Sequence, residues 1–134
     1  RVRDLGATTV VAPAMGGLVI GQEVARQLGI RFIFVEKENN SLALRRGFKI
    51  CTGEKILIVE DVITQGGRVR ETMDIIRKHG GDLVGVALVV DRSNGAVDLG
   101  VPTFSVLQMV VESFDPDNLP EDMQKLSPTH PGSK

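Results

Sequence analysis

The 134 residues predict an α/β fold: an open, mainly parallel, twisted sheet of about five strands flanked by helices. Three observations carry that prediction. Apolar β-branched runs at Thr8–Ala12, Ile56–Val59 and Leu83–Val90 lack polar alternation, as strands buried on both faces do. Helix-period patterns follow the first two runs. Glycine-bearing turns, Pro13-Ala-Met-Gly-Gly17 and Thr64-Gln-Gly-Gly67, stand between each strand and its helix.

In chain order, Arg1–Leu5 before Gly6 reads as the last turn of a helix with its glycine stop, the remnant of a longer element upstream. The first strand and the Pro13–Gly17 break lead into a helix with Leu18, Ile20, Val24, Ala25 and Leu28 on its apolar side, closed by Gly29. Arg31–Val35 resumes as a strand, which makes a βαβ crossover and implies parallel pairing. Glu36–Ser41, polar and with adjacent asparagines, reads as a turn or mobile loop, and Leu44–Cys51 as a short hairpin arm. After Gly67 a helix carries Val69, Thr72, Met73 and Ile76 on one face and Arg77, Lys78 and His79 in its last turn, where they complement the dipole. Leu83–Val90 is expected to be a central strand. Val101–Leu107 is demoted toward an edge by Pro102. From Asp115 onward prolines recur and one helical turn is expected near Glu121–Leu126, so 115–134 reads as a surface tail on a single domain spanning 1–134.

Composition narrows the function. With 42% apolar and 25% charged residues and a net charge of −1, the chain has no electrostatic footprint for nucleic acid. The lone Cys51 excludes an internal disulfide framework and favours a reducing cytoplasm, and two histidines, His79 and His130, make no zinc-type cluster. No apolar run is long enough to span a membrane.

The chemistry concentrates at Lys55–Gly67. Glu60 and Asp61 sit at the carboxyl end of a buried strand, where open α/β sheets bind ligands. Thr64–Gly67 then offers a hydroxyl and closely spaced backbone N–H groups to a phosphate. Carboxylates repel phosphate but accept hydrogen bonds from neighbouring hydroxyls, so the pair followed by the nest suits a ribose 5-phosphate. The plainer reading, a solvated strand end with Thr64 capping a helix, leaves two consecutive acids beside a glycine nest unexplained. Pro13–Gly17 alone is weaker evidence, since many βα turns hold Gly-Gly for packing. Lys37, Arg45 and Arg46 also fit ordinary surface charge, and Asp91-Arg92 fits a local salt bridge worth little.

Taken together, Val59-Glu-Asp-Val-Ile-Thr-Gln-Gly-Gly67, Pro13-Ala-Met-Gly-Gly17, Leu44-Arg-Arg-Gly-Phe48, Asp91-Arg92 and the closing Pro131-Gly-Ser133 resemble the type I phosphoribosyltransferases, and among them the orotate phosphoribosyltransferases. The resemblance covers nearly the whole chain and implies a magnesium-dependent transfer of ribose 5-phosphate from phosphoribosyl pyrophosphate (PRPP) to orotate, giving orotidine 5′-phosphate in pyrimidine synthesis. It implies that Glu60 and Asp61 hold the ribose hydroxyls, that Val62, Ile63, Thr64, Gln65, Gly66, Gly67 and Arg68 wrap the 5-phosphate, and that Ala14, Met15, Gly16 and Gly17 form the pyrophosphate loop. Thr64 and Arg92 would meet orotate, a bidentate guanidinium suiting its carboxylate. Asp61 and Lys37 would be catalytic, the first beside an oxocarbenium-like transition state and the second at the pyrophosphate. Mg2+ would arrive on the diphosphate rather than in a protein cage. Loop 36–46 would close over the neighbouring subunit's site, implying a homodimer.

Two departures stand out. The family loop generally carries further basic residues after the first, whereas Lys37 is followed by no cation until Arg45; Ala12 stands where glycine is common. The family's amino-terminal hood over the base is largely absent from these residues. A phosphoribosyltransferase for another base, and a PRPP-binding regulatory module with weakened catalysis, are the alternatives.

Overall fold

The computed structural model describes residues 1–112, 114, 115, 117–127 and 129. Six strands form one sheet: β1 (Thr9–Pro13), β2 (Arg31–Glu38), β3 (Ser41–Leu44), β4 (Lys55–Ile63), β5 (Asp82–Asp91) and β6 (Thr103–Gln108), in the order β3-β2-β1-β4-β5-β6. All neighbouring pairs are parallel except β2 and β3. Two helices of 12 residues each, α1 (Gly17–Leu28) and α2 (Gly67–Lys78), complete the layers.

The uninterrupted apolar runs become the middle of this sheet because only a strand covered on both faces can be apolar throughout. Val10, Val11 and Ala12 of β1 and Ile56, Leu57 and Ile58 of β4 have no exposed surface. On one face Val10, Leu57 and Val59 pack with Ala25, Ile20, Val24 and Leu28 of α1. On the other, Val11, Ile33, Val35, Ile56 and Ile58 pack with Val69, Met73 and Ile76 of α2. Each helix buries the stripe that its sequence periodicity marks. Gly29 closes α1 in the left-handed region, its N–H returning to Ala25 and Arg26.

That layering fixes a switch point. From β1 the chain crosses through α1 to β2 on one side; from β4 it crosses through α2 to β5 on the other. Right-handed crossovers running in opposite directions put their helices on opposite faces. The loops leaving β1 and β4 therefore diverge, and the crevice between their carboxyl ends is where this architecture accepts ligands.

Three expectations change. The segment 36–46, expected as a turn or mobile loop, is largely a hairpin: β2 continues to Glu38, Asn39 and Asn40 turn with φ of 48° and 69°, and β3 returns antiparallel with Lys37 opposite Leu42. Two successive positive φ values match the tight hairpin turn that asparagine tolerates. This hairpin supplies the sixth strand where about five were expected. β5 is interior but adjoins the edge strand β6, while β1 and β4 hold the centre. Ala12 is an ordinary buried strand residue, absent from the positive-φ positions, so nothing there demands glycine. Arg3–Leu5 forms a single 3-10 turn ended by Gly6 at φ 66°. Turn hydrogen bonds at Pro120–Leu126 agree with the expected helical turn. Pro131-Gly-Ser133 and His130 lie outside the described residues.

Candidate active site

A cleft of about 250 Å³ opens at the switch point, lined by Pro13, Ala14, Met15, Gly16, Glu60, Asp61, Val62 and Arg68. The first loop is anchored by Ala14 N–H, which donates to the Val35 carbonyl at 2.8 Å. Its glycines are required by closeness rather than by φ. A Cβ on Gly16 would stand 2.3 Å from Asp61 Oδ2, and one on Gly17 would stand 3.0 Å from Glu60 Oε1. The loop from β1 thus lies directly on the acid pair from β4, so anything seated on one touches the other.

Glu60 is only 6% exposed. Burial pushes its carboxyl up to about 8, and hydrogen bonding to the Asp61 carboxylate together with that carboxylate's charge adds to the rise. The Asp61 backbone N–H, 3.1 Å from Oε1, and the charge of Arg68 oppose it. Asp61 is half-buried and its Oδ1 accepts the Val62 N–H at 2.8 Å. The pair is one half-buried carboxylate and one buried carboxyl that holds its proton more tightly, each with an oxygen able to accept a hydroxyl presented from the cleft.

The second loop carries exposed Thr64 and Gln65 into Gly66, at φ 80°. A Cβ on Gly66 would meet Val97 Cγ1 at 2.8 Å, so conformation and space both call for glycine. α2 begins at Gly67 with no side chain capping its first turn, which leaves backbone N–H groups facing the opening. Arg70 donates to the Asp98 carbonyl at 2.8 Å and ties this turn to the loop after β5.

Among the expected site residues, Ala14–Gly17, Glu60, Asp61, Val62 and Arg68 come together. Ile63 is 3% exposed and its side chain belongs to the core, so only its backbone faces the loop. Its carbonyl accepts the Arg92 N–H at 2.8 Å, which sets Arg92 beside Thr64 at the sheet's carboxyl edge. The Arg92 guanidinium is exposed and has no hydrogen bond or ion pair among the described residues. Lys37 is exposed on the hairpin and does not line the cleft. A second cleft of about 250 Å³ lies beyond β5 and β6. Its one carboxylate, Asp91, accepts the Ser93 N–H at 2.8 Å, and no second acid lines it.

Three features escaped sequence reasoning. Arg46 pairs with Glu36 at 2.9 Å and Arg45 with Glu38 at 3.1 Å, so the hairpin's arginines are held by its own acids, and Arg46 also stacks 5.7 Å from the Phe34 ring centre. Acids before and arginines after an Asn-Asn turn are a cross-strand charge pattern that was available to read. Glu71 Oε1 accepts the Leu42 N–H, fastening the open edge of β3 to α2. The side chain of Arg68 reaches back to the Ala14 carbonyl at 3.4 Å. Neither of the last two has a sequence signal. Among the described residues, no group of three or more His, Cys, Asp or Glu could hold a metal ion, and no helix is long and apolar enough to cross a membrane.

A phosphoribosyl transferase domain model matches residues 3–117, and the chain belongs to the phosphoribosyltransferase family. Within it the kinship is with orotate phosphoribosyltransferases. The chain is 49% identical over all 134 residues to that of Desulforamulus reducens, covering 70% of the relative, and 51% identical over 129 residues to that of Pelotomaculum thermopropionicum, covering 96% of this chain and 68% of the relative. Among solved structures, orotate phosphoribosyltransferase from Mycobacterium tuberculosis superposes with a TM-score of 0.66 at 27% identity, over 81% of this chain and 64% of that one. Adenine phosphoribosyltransferase from Rhodothermus marinus shares the fold, with a TM-score of 0.66 at 24% identity over 78% and 70% of the two chains.

Proposed function

We propose that this chain is a single phosphoribosyltransferase core that transfers ribose 5-phosphate from Mg-PRPP to orotate in pyrimidine synthesis. The carrying observation is the contact of the Gly16–Gly17 loop with Glu60 and Asp61 at the switch point, beside the uncapped start of α2. Glu60 and Asp61 accept the ribose hydroxyls. Val62 to Arg68, with the Thr64 hydroxyl and the backbone of Ile63 to Gly67, surround the 5-phosphate, and Ala14 to Gly17 present backbone N–H groups to the diphosphate. The anomeric bond to diphosphate breaks, its electron pair leaving with the diphosphate, and a ring nitrogen of orotate forms the new bond as its N–H proton passes to the departing diphosphate or to water. Asp61 stabilises the positive charge that builds on the ribose. Among the described residues no group of three or more His, Cys, Asp or Glu could hold a metal ion, so Mg2+ would arrive on the diphosphate with oxygen ligands from it and from water, and would neutralise charge there.

Arg92, beside Thr64 with an unengaged guanidinium, receives the orotate carboxylate. Lys37 lies outside its own cleft, which supports a homodimer in which hairpin 36–46 serves the neighbouring site, Lys37 meeting the diphosphate there. A cytoplasmic setting accords with the exposed free thiol of Cys51. The test is purified protein with Mg-PRPP and each of orotate, uracil, adenine and hypoxanthine. Orotate alone is expected to be consumed, with Arg92→Ala losing roughly 10- to 100-fold in orotate use and keeping PRPP affinity. Consumption of a purine in place of orotate would overturn the base assignment.

A second reading, a PRPP-binding regulatory module with weakened catalysis, draws on the hairpin. Arg45 and Arg46 are paired with Glu38 and Glu36, and Lys37 is the hairpin's one cation without an ion pair among the described residues. PRPP binding without consumption of any base would favour it.

A further inference from the structure

We propose that Arg68 is a catalytic cation for the departing diphosphate supplied by the cleft's own chain, reaching from the first turn of α2 across the switch point to the pyrophosphate loop. This deepens the proposed transfer and rests on it. By position Arg68 belongs to the loop that surrounds the 5-phosphate. By geometry its side chain leaves that loop: Nη1 lies 3.4 Å from the Ala14 carbonyl, and the residue lines the cleft with Pro13–Gly16, Glu60 and Asp61. A 3.4 Å contact at an exposed carbonyl is weak and readily exchanged, while a diphosphate seated on Ala14–Gly17 would offer the guanidinium two or more anionic oxygens in a bidentate arrangement.

Two further observations bear on the same residue. Arg68 is the second residue of α2, whose first turn contains no acid. A cation there opposes the helix dipole, and a bound anion removes the opposition. Meanwhile the hairpin's two arginines are engaged, Arg46 with Glu36 at 2.9 Å and Arg45 with Glu38 at 3.1 Å, which leaves it Lys37 alone without an ion pair among the described residues. Arg68 needs no such release, and its charge already reaches the acid pair, where it favours the ionised form of Glu60.

The experiment is calorimetric titration of wild type, Arg68→Gln and Arg68→Lys with Mg-PRPP, Mg-pyrophosphate and ribose 5-phosphate, with thermal melting as a fold control. The last ligand carries the 5-phosphate and no diphosphate. The glutamine variant is expected to lose roughly 10- to 100-fold in affinity for PRPP and pyrophosphate while binding ribose 5-phosphate as wild type does. Lysine, a point charge without the fork, is expected to restore part of that loss. Equal weakening toward PRPP and ribose 5-phosphate, or no weakening toward pyrophosphate, overturns the assignment and leaves the proposed function standing. Wild type that binds no PRPP overturns both.

Discussion

Replacing Glu60 by Gln is expected to stabilise the free protein and disable its site. The carboxyl of Glu60 is pushed up to about 8 from an ordinary 4.5, chiefly by burial. A raised acid binds more protons folded than unfolded between those two values, so its contribution is greatest below about 4.5 and is lost as pH climbs toward 8. At about 1.4 kcal/mol per pH unit, some 3 kcal/mol is lost between pH 4.5 and 7 as an order-of-magnitude figure. Glutamine escapes that loss, and it preserves the local bonds: its Oε1 still accepts the Asp61 N–H, and its amide donates to the Asp61 carboxylate as the protonated acid does. Denaturant unfolding at pH 5, 6, 7 and 8 is expected to show the variant nearly equal to wild type at pH 5 and more stable by about 2–3 kcal/mol at pH 7, a melting shift of roughly 10 °C for a domain of this size. PRPP affinity moves the other way as pH rises toward 8, since glutamine cannot become the anion that accepts ribose hydroxyls most strongly. A stability difference that stays constant with pH, or a variant less stable than wild type at pH 8, would refute the account of Glu60.

Two other substitutions test the scaffold around that acid. Gly16→Ala places a Cβ against Asp61 Oδ2 and Oδ1 and forces that carboxylate out of the cleft; PRPP affinity should fall at least about 10-fold by calorimetry, with unfolding free energy changed by less than about 2 kcal/mol. Glu71→Ala removes the acceptor that holds the Leu42 N–H at the edge of β3; it should cost about 1–2 kcal/mol and raise hydrogen exchange at Leu42 above that of the core amides of β4. An unchanged Leu42 exchange rate would show that burial of its side chain, 7% exposed, holds the hairpin without Glu71.

The architecture was legible because its strands are apolar throughout and its turns carry glycine. Ile56–Val59 could only be a strand buried on both faces, and the acids that follow could only fall at the ligand edge. The hairpin was misread because polarity at Glu36–Ser41 suggests a loop. Polarity is also what a two-stranded projection beyond the sheet requires, with Glu36 and Glu38 answered by Arg45 and Arg46. The closeness of Gly16 and Gly17 to Asp61 and Glu60 joins segments more than forty residues apart and has no local signature. The same holds for most of the rise in Glu60, which comes chiefly from burial beneath α1's first turn, with its neighbour Asp61 adding to it. Arg68 follows the Gly66-Gly67 turn in the sequence, but the direction of its side chain belongs to the fold.

Phosphoribosyl transfer to orotate by the acid pair and the glycine loop at the switch point is the proposed function. It is tested most directly by following orotate absorbance with Mg-PRPP in wild type and in Asp61→Asn, with released pyrophosphate measured alongside. One pyrophosphate per orotate consumed is expected in wild type, with turnover lower by about 100-fold or more in the variant, the scale of removing a preorganised electrostatic partner. Equal turnover in the two proteins, or orotate left unconsumed by wild type that binds PRPP, would contradict it.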